Sequence, residues 1–548
     1  MPSTVKVVSM PAACRSPRIL RLLPPLAFGI AWAIGCAWTE PVSGSDAELR
    51  RSVHAILARP RFKQSSFGIL IAHVSTGEVL YELNADKLFP PASTAKLISG
   101  AGALGILGKD YRFETRVVTS ATLRKTALEG DLILVASGDP NLSQRVNRDG
   151  RLIFRNQDHS YAGFFDAESV PGDPLQLVHR LAQQVRDTGV RTIEGNVVVD
   201  DGLFVDTTDE FVANLSAICI NDNLVDVFVS PGAEPGQTAS IRVQPVSRVI
   251  NVRCAAKTTP QGGKTRLWLE SREGVGEFVL RGSIAKDSEP VLRVAPVRRP
   301  AILAARYLIE ALRQQGINVR GKAVRARFGP TIYASYRTLA SYSSPPLSEA
   351  VKVALKVSQN LHATMLPLVI GAEKGKRGTR LEGYRVLREH FIARGVPVDD
   401  IVIASGSGGG RPDRISPEWM VSFLRHMSKR DEFPAFFEAL PVSGVDGTLA
   451  KSFESSSVRK RVHAKTGTLV FRGALNRHWI YTAKSLAGYL DLRGQRRPNA
   501  LWAFVIAIAN TPAENRLRGA RELMRAQEDL LRVFVHAIEA RGGVGAAK

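Results

Sequence analysis

The sequence predicts an α+β chain in which one helix-rich unit is interrupted by a long β-rich insert, and three observations lead there. Two apolar, alternating runs, Phe67 to Val74 and Val79 to Leu83, flank a Ser-Thr-Gly-Glu turn and read as a hairpin, with a small-residue helix beginning soon after. From Tyr111 the texture changes to short strands punctuated by Gly, Asp and Pro, with little helical period. Helical periodicity then returns at Pro300, where Ile302, Leu303, Ala305, Leu308, Ile309 and Leu312 share one face. A chain of 548 residues is expected to hold more than one domain, and 44% hydrophobic with 23% charged residues is the balance of a globular protein.

Taken in order, residues 1–40 carry Lys6, Arg15, Arg18 and Arg21 ahead of an apolar run from Leu22 to Trp38, with Gly35-Cys36-Ala37 near its end. That is the pattern of a cleaved secretory signal, and the run is short for a membrane span. A retained anchor, or lipidation at Cys36, stands as the alternative. Asp46 to Leu57 reads as a short helix, followed by the hairpin and by Pro90-Pro91-Ala92-Ser93-Thr94-Ala95-Lys96-Leu97-Ile98, which opens the next helix. Inside the insert a helix is expected from Leu175 to Asp187, closed by Gly189, and strands at Ile193 to Asp200, Asp222 to Val229, Ala239 to Val246, Val249 to Lys257, Lys264 to Glu270 and Glu277 to Arg281. Beyond the Pro300 helix, Ser358-Gln359-Asn360 opens a helical pattern and Arg380 to Arg394 another. A Gly-rich loop, Ser405 to Gly410, precedes a helix from Pro417. Lys465-Thr466-Gly467-Thr468 lies in a strand-like run, Leu501 to Ala509 reads as a strand, and Glu514 to Arg541 as a long final helix. The expected division is 1–40 signal peptide, 41–111 with 299–548 one discontinuous domain, and 112–298 an insert of two subdomains.

The stretch at Ser93 offers a hydroxyl and an amine three residues apart, and residues at i and i+3 share a helix face. A lysine held against a serine in a partly dry pocket can lose its proton and activate the hydroxyl. Four such pairs occur: Ser3 with Lys6, Ser93 with Lys96, Ser283 with Lys286, and Ser457 with Lys460. Only Ser93 sits at a strand-to-helix junction, where backbone N–H groups at the helix start point outward. Taken alone, Ser93, Ser358 and Asn360 could each be a helix cap and Lys465 a solvated strand residue. Their order along the chain argues otherwise.

The 74 basic against 51 acidic residues give a net charge of +23, which favours polyanions. No helix-turn-helix, zinc-finger or aromatic RNA-binding pattern converts that charge into nucleic-acid recognition. For an exported chain, anionic envelope polymers or a membrane surface are the fitting neighbours. Outside the signal only Cys219 and Cys254 remain, and a bridge and two free thiols are both open. No Cys-x-x-Cys or paired-histidine spacing suggests a metal, so neither metal nor cofactor is expected.

Ser-x-x-Lys at Ser93, Ser-x-Asn at Ser358 and Lys-Thr-Gly at Lys465, in that order, are the motif set of penicillin-binding proteins and class A β-lactamases. Ser93 and Ser358 stand 265 positions apart, which argues against a class A β-lactamase, whose second motif lies much closer to the first. The chain resembles class C low-molecular-mass penicillin-binding proteins, the DacB-type D-alanyl-D-alanine carboxypeptidase/endopeptidase family, which carries a large insert at that place. The likeness runs over most of residues 65–510, including Gly130-Asp131-Leu132 to Gly138-Asp139-Pro140, Asn221-Asp222-Asn223, Ser344-Pro345-Pro346-Leu347 and Leu440 to Leu449.

That resemblance implies a transpeptidase-like domain, a five-stranded antiparallel sheet covered by helices plus a helical lobe, with the active site between them. It implies an exported, periplasmic or extracytoplasmic enzyme trimming peptidoglycan stem peptides through an acyl-enzyme, with β-lactams as inhibitors. Ser93 would attack the D-Ala-D-Ala carbonyl, Lys96 would act as base, and Ser358 would relay the proton to the leaving amine. Asn360 would bind the substrate amide and position Lys96, while Lys465 would supply positive potential. Thr466 and Thr468 would hold the terminal carboxylate, Gly467 would keep the edge strand open to the ligand, and the N–H groups of Ser93 and Thr468 would form the oxyanion hole. Two stretches depart from the family pattern: Ala404 to Gly409, where an Asp-Gly-Ser-Gly-Leu-Ser string is usual, and extra sequence at Asn476 to Tyr481. The altered loop at Ala404 and the charge of +23 motivate the alternative of a murein-binding scaffold with little turnover. A β-lactam hydrolase would need a deacylating glutamate near the second motif, and none is identifiable.

Overall fold

The apolar run Ser66–His73 has no polar face to offer water, and the chain accordingly buries it inside a sheet, paired antiparallel to Val79–Leu83 on one side and to Leu501–Ala509 on the other. Every residue of Leu501–Ala509 is buried, as a central strand with both faces covered requires. The computed structural model describes residues 44–544 apart from 144, 165, 166, 207, 209–211, 213, 214, 454–456 and 496. The expected signal at 1–40 lies outside the described residues, and no helix among them is long and apolar enough to cross a membrane.

The central sheet runs Val462–Arg472, Trp479–Asp491, Leu501–Ala509, Ser66–His73, Val79–Leu83, all antiparallel. These are the expected five strands, with Thr511–Ala513 added as a short sixth that pairs with Trp479–Asp491. Alternation splits the side chains between two cores. Ile69, Ile71, Phe504 and Ile506 face the terminal helices Gly44–Leu57 and Arg516–Val544, whereas Leu70, Ala72, Val505 and Ala507 face the helical lobe with Leu97, Phe423 and Leu424. Of the extra residues near Asn476, Asn476 to His478 lie in the loop that closes the hairpin and Trp479 to Tyr481 begin the strand, paired with Arg472, Phe471 and Val470.

The insert is built as expected from short strands and the helix Gln176–Asp187, but its end is not at 298. A five-stranded sheet orders Ala323–Ala326, Val197–Asp200, Leu132–Val135, Glu114–Thr119 and Arg337–Ser343, so residues up to 343 complete it. The helix Pro300–Gln314 packs against Gln176–Asp187 and Ala323–Ala326, inside this unit. The expected boundary at 299 is therefore corrected: the apolar face of that helix signals burial, but its period carries no record of which partner it meets. Strands between Leu224 and Pro296 form two further sheets, of three and four strands. Cys219 and Cys254 are both free thiols.

Candidate active site

Three segments far apart in sequence converge at the edge of the central sheet. Ser93 lies in a single 3-10 turn, Ala92–Ala95, that runs straight into the helix Lys96–Leu107, and Ser358 and Asn360 lie at the start of the helix Asn360–Lys374. Lys465 lies on the edge strand Val462–Arg472. Ala92 and Ser358 hold positive φ values of 49° and 62°, a left-handed backbone that non-glycine residues adopt at a cost of about 1–3 kcal/mol. Both strained residues stand at the head of a motif.

Lys96 is fully buried, and its Nζ donates to Ser93 Oγ at 2.8 Å, Asn360 Oδ1 at 2.8 Å and the Ser407 carbonyl at 2.7 Å. Burial lowers its pKa to about 7. A neutral amine has two N–H donors and one lone pair, and the two oxygens of Asn360 and Ser407 can only accept. In the neutral form they take the two hydrogens, so the contact with Ser93 reverses and the lone pair accepts the Ser93 hydroxyl proton. Ser93 itself is only partly buried, so the nucleophile is reachable while its base is not.

Ser407 belongs to the stretch that departs from the family pattern. Asp413 shapes that loop by accepting from the N–H of Ala404 at 2.6 Å and of Gly410 at 3.1 Å. Gly408, at φ 78°, lies so close to the Ala92 carbonyl that an added Cβ would sit 1.9 Å from its oxygen. The altered loop thus completes the base's surroundings. Sequence reasoning missed Ser407, since a carbonyl acceptor carries no residue-type signal.

Lys465 is also fully buried and donates to Ser358 Oγ at 2.8 Å and to the Thr466 carbonyl at 2.7 Å. Burial, then the neighbouring Lys96 and Lys484, hold its pKa well below the ordinary lysine value. Thr466 and Thr468 share a strand face, the first half-buried and donating to Thr448 Oγ1 at 3.0 Å, the second exposed. Lys484, directly across the ladder from Thr468, donates to its hydroxyl at 3.1 Å, and burial lowers its pKa to about 8. Sequence reasoning passed over Lys484; its signal was a lone lysine amid an apolar strand.

The structure gives Gly467 a role other than keeping the strand open to ligand. A Cβ there would lie 2.6 Å from the Pro91 carbonyl oxygen and 3.1 Å from Ala92 Cβ. The missing side chain lets the edge strand close onto the nucleophile turn. Of the expected residues, Ser93, Lys96 and Asn360 thus form one hydrogen-bonded group, Ser358 and Lys465 a second, and Thr466 and Thr468 flank Gly467 on the strand.

Asp158, His159 and Asp222 bring potential ligand atoms within 4.8 Å of one another, although no metal was expected. His159 has both ring nitrogens engaged by carboxylates, Nε2 with Asp222 at 2.6 Å and Nδ1 with Asp226 at 2.9 Å. Burial alone would lower its pKa, but Asp226 and Asp222 raise it well above the usual value, the direction expected of a ring held between two carboxylates.

The sequence profile of the D-Ala-D-Ala carboxypeptidase 3 (S13) family matches residues 49–519. The chain is similar to a D-alanyl-D-alanine carboxypeptidase of Actinomadura sp., 28% identical over 451 residues that cover 78% of each protein. It is also similar to the D-alanyl-D-alanine carboxypeptidase DacB of Haemophilus influenzae, 23% identical over 449 residues covering 79% of this chain and 84% of the relative. The crystal structure of penicillin binding protein 4 (dacB) from Haemophilus influenzae shares the fold, with a TM-score of 0.68 at 20% identity over 89% of this chain and 98% of the other. A crystal structure of that protein complexed with a β-lactam superposes with a TM-score of 0.66 at 20% identity, over 89% of this chain and 99% of the other.

Proposed function

The chain belongs to the D-Ala-D-Ala carboxypeptidase 3 (S13) family and is a serine-type D-Ala-D-Ala carboxypeptidase acting on peptidoglycan, and from that premise we propose that Ser93 is its acylated nucleophile and Lys96 the base. The observation that carries this reading is the triple engagement of Lys96 Nζ, which leaves one direction for a lone pair and points it at Ser93. Ser93 Oγ attacks the carbonyl of the penultimate D-Ala as Lys96 takes its proton. The Ser358 hydroxyl, held by Lys465, gives its proton to the departing amine of the terminal D-Ala and takes back the one Lys96 received from Ser93, and water, losing its proton to the freed Lys96, then hydrolyses the ester. Positioned proton transfer of this kind contributes about 10²–10⁴ in rate. Lys465, Thr466 and Thr468 take the substrate carboxylate, and Asn360 takes its amide.

The same attack on a β-lactam carbonyl leaves a penicilloyl ester on Ser93. The test is labelling by a fluorescent penicillin together with D-Ala release from a pentapeptide. Both are expected in the wild type and neither in Ser93→Ala; labelling that survives the substitution overturns the assignment. Cleavage of D-Ala-linked cross-bridges follows the same chemistry with a larger leaving amine. Export, with the signal at 1–40 removed, places the enzyme beside its substrate, and the strongly positive charge that remains, +23 less the +3 of residues 1–40, suits anionic envelope polymers there.

A further inference from the structure

Ser358 sits in a left-handed backbone that nothing in its own residue type favours, so neighbouring groups must hold it there. Those groups come from the insert. The Tyr161 hydroxyl donates to the Ser358 carbonyl at 2.6 Å. Gln359, which caps the following helix by accepting from Leu361 N at 3.0 Å, donates through Nε2 to Asp158 Oδ1 at 3.0 Å. His362, one turn along, meets Asp222 Oδ1 at 2.8 Å.

The insert residues are themselves locked. Asp158 caps the turn His159–Tyr161 by accepting from Ser160 N at 2.9 Å, and His159 is wholly buried between Asp222 and Asp226. Asp222 reaches both imidazoles because Asn221, Asp222 and Asn223 all hold positive φ, 51°, 54° and 52°. Arg145 donates to Asn221 Oδ1 at 3.0 Å, and Asn221 Nδ2 to Asp226 Oδ1 at 3.2 Å. Replacing a buried ionic network by apolar groups is often neutral or stabilising, so this one is weak evidence of stability; what it supplies here is a rigid, unique geometry. Three consecutive left-handed residues are a further cost that a merely space-filling contact would not need.

We infer that Tyr161, seated by the His159 ion network of the insert, is a positioning residue that sets the Ser358 backbone so that its hydroxyl can protonate the leaving amine. The inference rests on the proposed relay role of Ser358. It makes the insert a working part of the catalytic site, since Tyr161 precedes Ser358 by 197 positions and its seat, from Asp158 to Asp226, lies within the same insert.

The relay matters only when the leaving group needs a proton. An amide releases an amine and needs one, whereas a thioester releases a thiolate and does not. The experiment measures kcat and KM for an N-acyl-D-Ala-D-Ala amide and for the matching thioester, in wild type, Tyr161→Phe, His159→Gln and Ser358→Ala. Rates are normalised to the fraction of enzyme that a fluorescent penicillin labels, so that partial misfolding cannot imitate the result. The expected outcome for Tyr161→Phe is a loss of tenfold or more in kcat for the amide, less than threefold for the thioester, and little change in KM; His159→Gln follows the same pattern. Equal losses on both substrates, or none on either, while Ser358→Ala still discriminates between them, overturns the inference and leaves the relay standing. If Ser358→Ala does not discriminate, the relay falls and the inference with it.

Discussion

Replacing Asn360 by Asp changes one atom and puts a negative charge where Lys96 now donates to a neutral oxygen at 2.8 Å. At the ordinary lysine value of 10.5, about one Lys96 in three thousand would be neutral at pH 7; at about 7, half are, a gain of about a thousandfold in competent base. An opposite charge in contact raises such a pKa by about 1–3 units. Taking the middle of that range, the neutral fraction at pH 7 falls from about one half to about one per cent, a loss of about fiftyfold. The assay is the second-order rate of acylation by a fluorescent penicillin between about pH 5 and 10. Wild-type rates should climb about tenfold between pH 5 and 6 and level off above about 8, and Asn360→Asp should run parallel but displaced upward by about two units, recovering at high pH. The new carboxylate also relieves the buried ammonium, so the variant should melt no lower than wild type at pH 7. A profile that does not move, or a loss that high pH fails to restore, refutes the assignment of Lys96 as the base.

Three further outcomes follow from the same geometry. Folded Lys484 titrates near 8 and unfolded Lys484 near 10.5, so between these values the unfolded chain binds more protons and stability rises with pH; the buried charge costs about 3 kcal/mol below 8. Lys484→Met should therefore raise the melting temperature at pH 7 by an increment that vanishes above about 10.5, and a drop at pH 7 contradicts the burial argument. Gly467→Ala pushes the edge strand off the Pro91 carbonyl and should cut acylation by about a hundredfold or more while far-ultraviolet circular dichroism stays unchanged; unimpaired acylation would show the close approach to be dispensable. A carboxylate ligand set against Lys465 reverses the lowering of its pKa, so a D-Ala-D-Ala peptide binding to Ser93→Ala should take up protons in part of the pH range below the ordinary lysine value. Calorimetry in buffers of different ionisation enthalpy reads this directly, and zero uptake counts against Lys465 as the carboxylate's partner.

What could be read from residues alone was the chemistry whose spacing is imposed by local geometry. A serine and a lysine must be three apart to meet on one turn, and Lys-Thr-Gly must lie in a strand to present its residues to alternate sides. Those constraints placed Ser93 against Lys96, and Lys465 on the sheet edge. The central strands were equally legible, because runs such as Leu501–Ala509 have no polar face to expose. The helix Pro300–Gln314 announced a buried face and nothing about its partner, which is why the insert's end lay some forty residues beyond its expected place. His159, Asp222 and Asp226 form no recurring spacing, and only Asn221-Asp222-Asn223, three residues apart from most others in tolerating a left-handed backbone, hinted at the turn that joins them.

The reason these silent residues matter lies in the amines. Lys96, Lys465 and Lys484 are all withdrawn from water beside one another, and each lowers its proton affinity to remain there. Such an arrangement is unfavourable on its own and would relax if its surroundings could yield: the Ser358 loop would leave its left-handed well, and Lys465 would follow it toward solvent. On one side the sheet prevents this, because Gly467 is wedged against Pro91 and cannot slide. On the other side the turn at Asp158 to Tyr161, clamped by its own ion network, holds Ser358 and Gln359 by hydrogen bonds. A reactive base whose proton affinity is lowered until half of it is neutral at pH 7 therefore requires restraint from both directions, and the long insertion between the first two motifs is where the second restraint is encoded.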